Sequence, residues 1–317
     1  MDLHDWNHGI LYQGLVAFSR RTGEDAPADL VATIGRENHW EIGKAPWRSF
    51  DHPDDFAIGA AYVALAPLRP EPAMLHPLRS RLRQVMASAG PTDPWWIDAL
   101  AMAPPTWADL ACHDRDRAPL QLAAARSLQV AKELQSPEQR LFFRDQRQKL
   151  QAEETGRTPV FWGRGNGWAV AGLARVLARL PAEDPRRDPL LRLYRDTVEA
   201  LMARRTSDGQ LPTDLARPEM GGETSATALL VVAVTHGINS GLLERQRWQA
   251  PILFSWEHLL TRVKASGELA DVQPPGETPG PSHHLSLQPF AAGLVLMAGE
   301  EVLTLLVPPP RTRPKAC

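Results

Sequence analysis

The chain has 317 residues, 43% of them hydrophobic, with a formal net charge of −2 and a pI near 6.6. That length is enough for one large domain or two ordinary ones, and the balanced charge gives no support to a nucleic-acid or anionic-membrane partner. Two cysteines, Cys112 and Cys317, are too few for a disulfide framework, and neither C-x-x-C nor H-E-x-x-H metal spacing occurs. The opening "MDLHDWNHGI" lacks the basic and apolar regions of a signal peptide, and no apolar run is read as approaching a membrane span. A cytoplasmic protein without metal or cofactor is the default expectation. Ten tryptophans are many for this length and suit carbohydrate binding.

Strand signals are scarce. Helical periodicity, broken by Pro- and Gly-rich stretches, predicts helices over 6–21, 27–38, 54–68, 77–89, 97–111, 118–134, 168–180, 189–205, 223–239, 248–265 and 289–306. They fall into two kinds. "FAIGAAYVALA", "WAVAGLARVLARL", "TSATALLVVAVTHGI" and "FAAGLVLMAGEEVLTLL" are apolar almost all round, whereas "LHPLRSRLRQVMA" and "LLRLYRDTVEALMARR" carry charge. The kinds alternate, and all-round apolar helices are buried by one-sided ones. An all-α closed double ring, an (α/α)6 barrel, follows. About six helices read as inner and about five as covering, so the first outer helix is missing and would precede Trp6. The expected organisation is one barrel domain over 1–307 and a disordered Pro/Arg-rich tail, "PPPRTRPKAC", over 308–317.

Unusual residues gather at the starts of the inner helices, which share one mouth of such a barrel. "FWGRGNGW" is neither G-x-G-x-x-G nor a Walker loop, so a phosphate cradle is disfavoured. It reads as a flat aromatic and cationic surface in which Trp162 and Trp168 offer ring faces and Arg164 a planar fork for a carboxylate, with glycines allowing close approach of a ligand. The bland alternative is a turn with two core tryptophans. In "HPDDFAIGAAY" an N-cap explains one of Asp54 and Asp55. In "PWWIDALAMAPP" Asp98 follows aromatic and aliphatic neighbours; desolvation should raise its pKa, as a general acid requires, although a cap is again the alternative. Arg144 and Asp145 read as a surface salt bridge, Glu223 as a helix cap, and His283-His284 as a solvated loop. No G-x-S-x-G elbow for a serine triad occurs.

Together "FWGRGNGW", "WWIDALAMAPP" and "DDFAIGAAY", with "GETSATA", "HGINSGLL" and "AGLVLMAGEEVL", resemble glycoside hydrolase family 105 over about 5–306. Those are unsaturated rhamnogalacturonyl hydrolases and related unsaturated glucuronyl hydrolases, and the resemblance implies an (α/α)6 barrel. It implies a partner too: an unsaturated uronic-acid oligosaccharide, such as unsaturated galacturonyl-rhamnose from pectin. In the implied reaction an Asp protonates C4 of a C4–C5 enol ether, water adds at C5, and the hemiketal opens to release the neighbouring sugar. The catalytic Asp falls on Asp98 and the second site Asp on Asp54, whose charge should raise the pKa of Asp98 further. Sugar-lining residues fall on Trp6, Trp162, Arg164 and Trp168. Some members have a Tyr-His pair where this chain has Phe143-Arg144, which makes Arg144 a substrate-binding candidate that varies with substrate. Some also have a His shortly before the catalytic Asp, where this chain reads "VMASAGPTDPWW". A degenerate sugar-binding member is the second reading. An epimerase is the third, disfavoured because the histidines do not sit at the matched mouth positions.

Overall fold

The computed structural model describes residues 3–43, 48–88, 95–155, 158–282 and 285–307. His283-His284 and the 308–317 tail lie outside the described residues, as does most of the segment that precedes Trp95.

The chain runs as inner–outer helix pairs. Helix α1 (Trp6–Thr22) is followed by α2 (Ala26–Glu37), and α3 (Phe56–Leu65) by α4 (His76–Ala87). The short α5 (Ala99–Met102) and α6 (Pro104–Asp114) form one inner helix interrupted at Pro104-Pro105, where two successive N–H donors are missing, and α7 (Arg117–Leu134) covers it. After α8 (Gln146–Thr155) come α9 (Gly163–Arg179) with α10 (Arg187–Ala203), α11 (Thr224–Asn239) with α12 (Arg245–Leu260), and finally α13 (Pro289–Leu306). The only paired strands among the described residues are β1 (Gln135–Ser136) and β2 (Leu141–Phe142), a two-residue antiparallel pair.

The inner helices pack in a closed ring: α1 on α3, α3 on α6, α5 and α6 on α9, α9 on α11, α11 on α13, and α13 back on α1. The expected all-α barrel is therefore observed, with six inner helices among the described residues. Burial follows the composition that predicted it. Every residue of α3 except Ala64 is buried, and α11 is buried from Thr224 to Thr235. One expectation needs correcting. By length and composition alone α13 could cross a membrane, with a mean hydropathy of 1.5 over 18 residues; half of it is buried, against α1 and α11. Its outward residues Leu303 and Leu306 remain 44% and 51% exposed, as expected of an inner helix whose outer cover is incomplete among the described residues.

Two elements depart from the sequence reading. Helix α8 has no apolar periodicity and buries nothing, so the hydrophobic pattern gave no sign of it; Asp145 Oδ1 caps it by accepting from the Gln148 N–H at 2.8 Å. Helix α9 begins at Gly163, five residues before the expected start, so the glycines belong to its first turns. A side chain at Gly163 would collide with the Pro212 carbonyl, and one at Gly167 with Leu229. These glycines let backbones approach each other, rather than a ligand.

A close backbone contact between α1 and α13 closes the ring. A Cβ on Gly14 of α1 would lie 2.5 Å from the carbonyl oxygen of Gly293 on α13, where only backbone could yield. Gly14→Ala should therefore destabilise the fold by about 1–3 kcal/mol, as overpacking does. Thermal unfolding followed by circular dichroism checks this, and an unchanged melting temperature would show that α1 and α13 can part at no cost.

Candidate functional site

The first turns of the inner helices surround a cavity of about 370 Å³. Its lining includes Trp6 on α1, Asp54 ahead of α3, Asp98 ahead of α5, and Trp162, Arg164 and Trp168 at the start of α9. Arg144, which precedes α8, completes the set of residues singled out from the sequence; all seven come to one pocket. The reading of the aromatic cluster as a ligand surface and not merely core packing fits this position. Trp6 meets Trp168 edge-on at 6.3 Å and Phe290 at 5.3 Å, so the rings form one continuous wall.

The two carboxylates are not caps. Asp98 stands at the N-terminal boundary of α5 without a capping bond, and Asp54 and Asp55 in the 3-10 turn Pro53–Asp55 make none either. Instead Arg48 donates to both, Nη1 to Asp55 Oδ1 at 2.9 Å and Nη2 to Asp54 Oδ2 at 3.3 Å. Asp98 is 8% exposed, and its Oδ2 has no hydrogen-bond partner among the described residues. Burial pushes its pKa up to about 6, against the lowering effect of Arg144 and Arg164. Burial pushes Asp54 further, to about 7; Arg48 lowers it, while Asp98, Asp5 and Asp55 raise it. Both carboxyls are thus raised; Asp98 has two guanidinium groups nearby, and its charge raises Asp54.

Arg164 also differs from expectation. It is 1% exposed and lies 4.6 Å from the Trp162 ring centroid and 5.1 Å from that of Phe290. Its Nη1 and Nη2 donate to the Gln273 and Pro274 carbonyls at 2.6 and 2.7 Å. Instead of presenting an unoccupied fork, it holds the 273–277 segment as a wall of the cavity. Glu223 completes that clamp. As the sequence suggested, it caps α11, accepting from the Ser225 and Ala226 N–H groups, and it accepts from the Gln273 N–H at 3.0 Å as well. Trp162 Nε1 donates to Gln273 Oε1 at 2.9 Å.

Arg144 does form the expected salt bridge to Asp145, at 2.7 Å, but both side chains are largely buried at the cavity and not on an open surface. Sequence reasoning missed Arg48, His52, Met102 and the wall residues Pro275, Gly276 and Glu277. His52 packs on Trp96 at 5.2 Å and lines this mouth. The signal for Arg48 was a cation a few residues before paired aspartates; the signal for the wall was a Pro- and Gly-rich run, "QPPGE", which reads equally as plain loop. Among the described residues no group of His, Cys, Asp and Glu could hold a metal ion.

The raised carboxyls make stability depend on pH. Aspartate ordinarily titrates near 3.8, and Asp54 in the fold near 7. Below 3.8 both states are protonated and nothing is lost; between 3.8 and 7 the unfolded chain ionises while the fold keeps its proton, so stability falls over that range and the loss is complete once the pH has passed 7. Asp54→Asn removes that cost. The melting-temperature difference, variant minus wild type, should be more positive at pH 8 than at pH 4; a difference independent of pH would contradict the raised pKa.

A model of Glycosyl Hydrolase Family 88 matches residues 1–306. An unsaturated 3S-rhamnoglycuronyl hydrolase of Alteromonas sp. (strain LOR) is 29% identical over 323 residues, covering 94% of this chain and 77% of that protein. Among solved structures, a glycosyl hydrolase family 88 protein from Bacteroides vulgatus superposes with a TM-score of 0.85 at 24% identity, over 95% of this chain and 92% of that one. A family 105 glycoside hydrolase from C. acetobutylicum ATCC 824 superposes with a TM-score of 0.79 at 18% identity, over 96% of each chain. These two likenesses are of fold, shared by families 88 and 105. With the match over residues 1–306 and the inner-helix cavity that carries its acidic pair, the chain belongs to Glycosyl Hydrolase Family 88 and is a glycoside hydrolase.

Proposed function

We propose that this protein hydrolyses oligosaccharides ending in a 4,5-unsaturated uronyl residue, by protonating and hydrating the enol ether. The observation that carries the reading is the carboxyl pair of buried Asp98 and largely buried Asp54, both raised towards neutrality in a cavity walled by Trp6, Trp162 and Trp168 and edged with arginines. The name of the Alteromonas relative supports the substrate class.

In this reading protonated Asp98 delivers its proton to C4. The C4–C5 π electrons form the new C4–H bond, and positive charge develops at C5, shared with the ring oxygen. Asp54, with Arg48, faces that charge. Water adds at C5 and loses its proton to the Asp98 carboxylate, which restores the acid. The C5 hemiketal then opens, leaving a hemiacetal at C1 that releases the neighbouring sugar. No displacement occurs at the anomeric carbon, so the carboxylate spacing that separates retaining from inverting glycosidases does not apply.

A donor must hold its proton. With Asp98 near 6, turnover should fall as pH rises above that value. Asp98→Asn keeps the shape and removes the acid, and should lower kcat by about a hundredfold to ten-thousandfold, as loss of a general acid does. Asp54→Asn should lower it less. The assay is loss of the ultraviolet absorbance of the conjugated double bond. If Asp54→Asn abolishes turnover while Asp98→Asn retains it, the donor is Asp54. If the wild type binds unsaturated uronides without consuming them, the reading of the pocket as hydrolytic falls.

A further inference from the structure

Arg164 is committed to the wall, so the carboxylate of an acidic sugar needs another partner. Arg48 is likewise engaged, bridging Asp54 and Asp55. Arg144 is different. Its Nη1 bonds Asp145, but its Nε has no hydrogen-bond partner among the described residues, and its Nη2 has only Glu277 Oε1 at 3.7 Å. That separation is too long for a hydrogen bond. Nε and Nη2 form the side-on edge with which an arginine pairs a carboxylate through two parallel bonds. In Arg144 that edge carries charge contact alone.

Glu277 is placed to make that contact and little else. It stands at the end of the clamped wall, where the preceding Gln273 and Pro274 are fixed by Arg164, Trp162 and Glu223. Its side chain is 65% exposed, and its other neighbour, Arg147 Nη2, is 3.8 Å away. A carboxylate held this loosely, between two guanidinium groups and without a hydrogen bond, is easily displaced by one that can make both bonds.

We propose that Arg144 is the carboxylate receptor of the pocket and that Glu277 is an internal carboxylate that occupies it until an acidic sugar takes its place. The proposal rests on the reading above that the ligand is a uronide, and it makes Arg144 and Glu277 the residues that set preference for an acidic over a neutral sugar. Removing the Glu277 charge should tighten uronate binding, because the incoming carboxylate then displaces nothing and meets no like charge at the rim.

The test is binding of D-glucuronate, which has no double bond to consume, measured by calorimetry or ligand-observed NMR alongside neutral methyl glucoside. Glu277→Gln should lower the Kd for glucuronate by about twofold to fivefold, the scale of an exposed ion pair. Arg144→Gln should raise it by at least about tenfold, the scale of lost charge-assisted hydrogen bonds. The double variant should match Arg144→Gln alone, and methyl glucoside should respond to neither change. Should Arg144→Gln unfold, Arg144→Lys, which keeps the charge and loses the fork, should still weaken glucuronate. Weaker glucuronate binding in Glu277→Gln, unchanged binding in the Arg144 variants, or no binding of glucuronate by the wild type overturns the proposal. Turnover of an unsaturated uronide, run in parallel, separates the two readings. The expected binding pattern without turnover sinks the hydrolytic mechanism and leaves this recognition standing; turnover without that pattern sinks only this one.

Discussion

A single carboxylate organises the active mouth. Glu223 is completely buried, and burying an unpaired carboxylate would be prohibitive. It is satisfied by the N-terminal amides of α11, by Ser225 Oγ, and by the amide of Gln273 some fifty residues further on. A negative charge at a helix N-terminus is favoured by the unpaired amides and the helix dipole. Burial lowers the pKa of Arg164, and the charge of Glu223 opposes that shift. Arg164 in turn holds the carbonyls of Gln273 and Pro274. Cap, guanidinium and wall form one network, and a partly satisfied network of this kind costs more than an apolar core.

The electrostatics of the cavity follow from how its cations are spent. Three arginines line it, and all three bind protein groups, Arg144 through Nη1 to Asp145. Arg48 fixes the acidic turn, and Arg164 fixes the wall. They shape the pocket and tune the carboxyls without meeting solvent freely. Burial raises both Asp98 and Asp54; Arg144 and Arg164 oppose this at Asp98, while at Asp54 Arg48 opposes it and three other aspartates add to it.

Much of this was readable in the chain itself. The ring is written in the alternation of all-round apolar and one-sided helices; α3 and α11 are buried as their composition requires, and α13 is half-buried. Asp98 was legible because desolvation by its aromatic and aliphatic neighbours is a local property of "WWIDALAMA". What was not legible depends on distant contacts. Arg164 looks like an open fork until Gln273 and Pro274 reach it from more than a hundred residues away. Asp54 and Asp98 are both raised by burial and opposed by guanidinium groups from three separate segments, and no spacing along the chain records those groups. The glycines before Trp168 were correctly marked as permitting close approach, but which surface approaches is decided by packing. Helix α8 shows the opposite failing, since a helix that buries nothing leaves no hydrophobic period to detect.

The contact of Gly14 with Gly293 joins the first inner helix to the last, and the Arg20–Glu300 pair beside it spans 280 residues of sequence. Closing so long a loop is entropically costly and must wait for α13, so ring closure is a late event in folding. On the ribosome α1 emerges before α13, and its α13-facing side stays uncovered until α13 has been made. The apolar flank of α1 thus depends on α13 for its cover, and the cavity mouth, to which α1 and α13 each contribute an end, is completed at the same step.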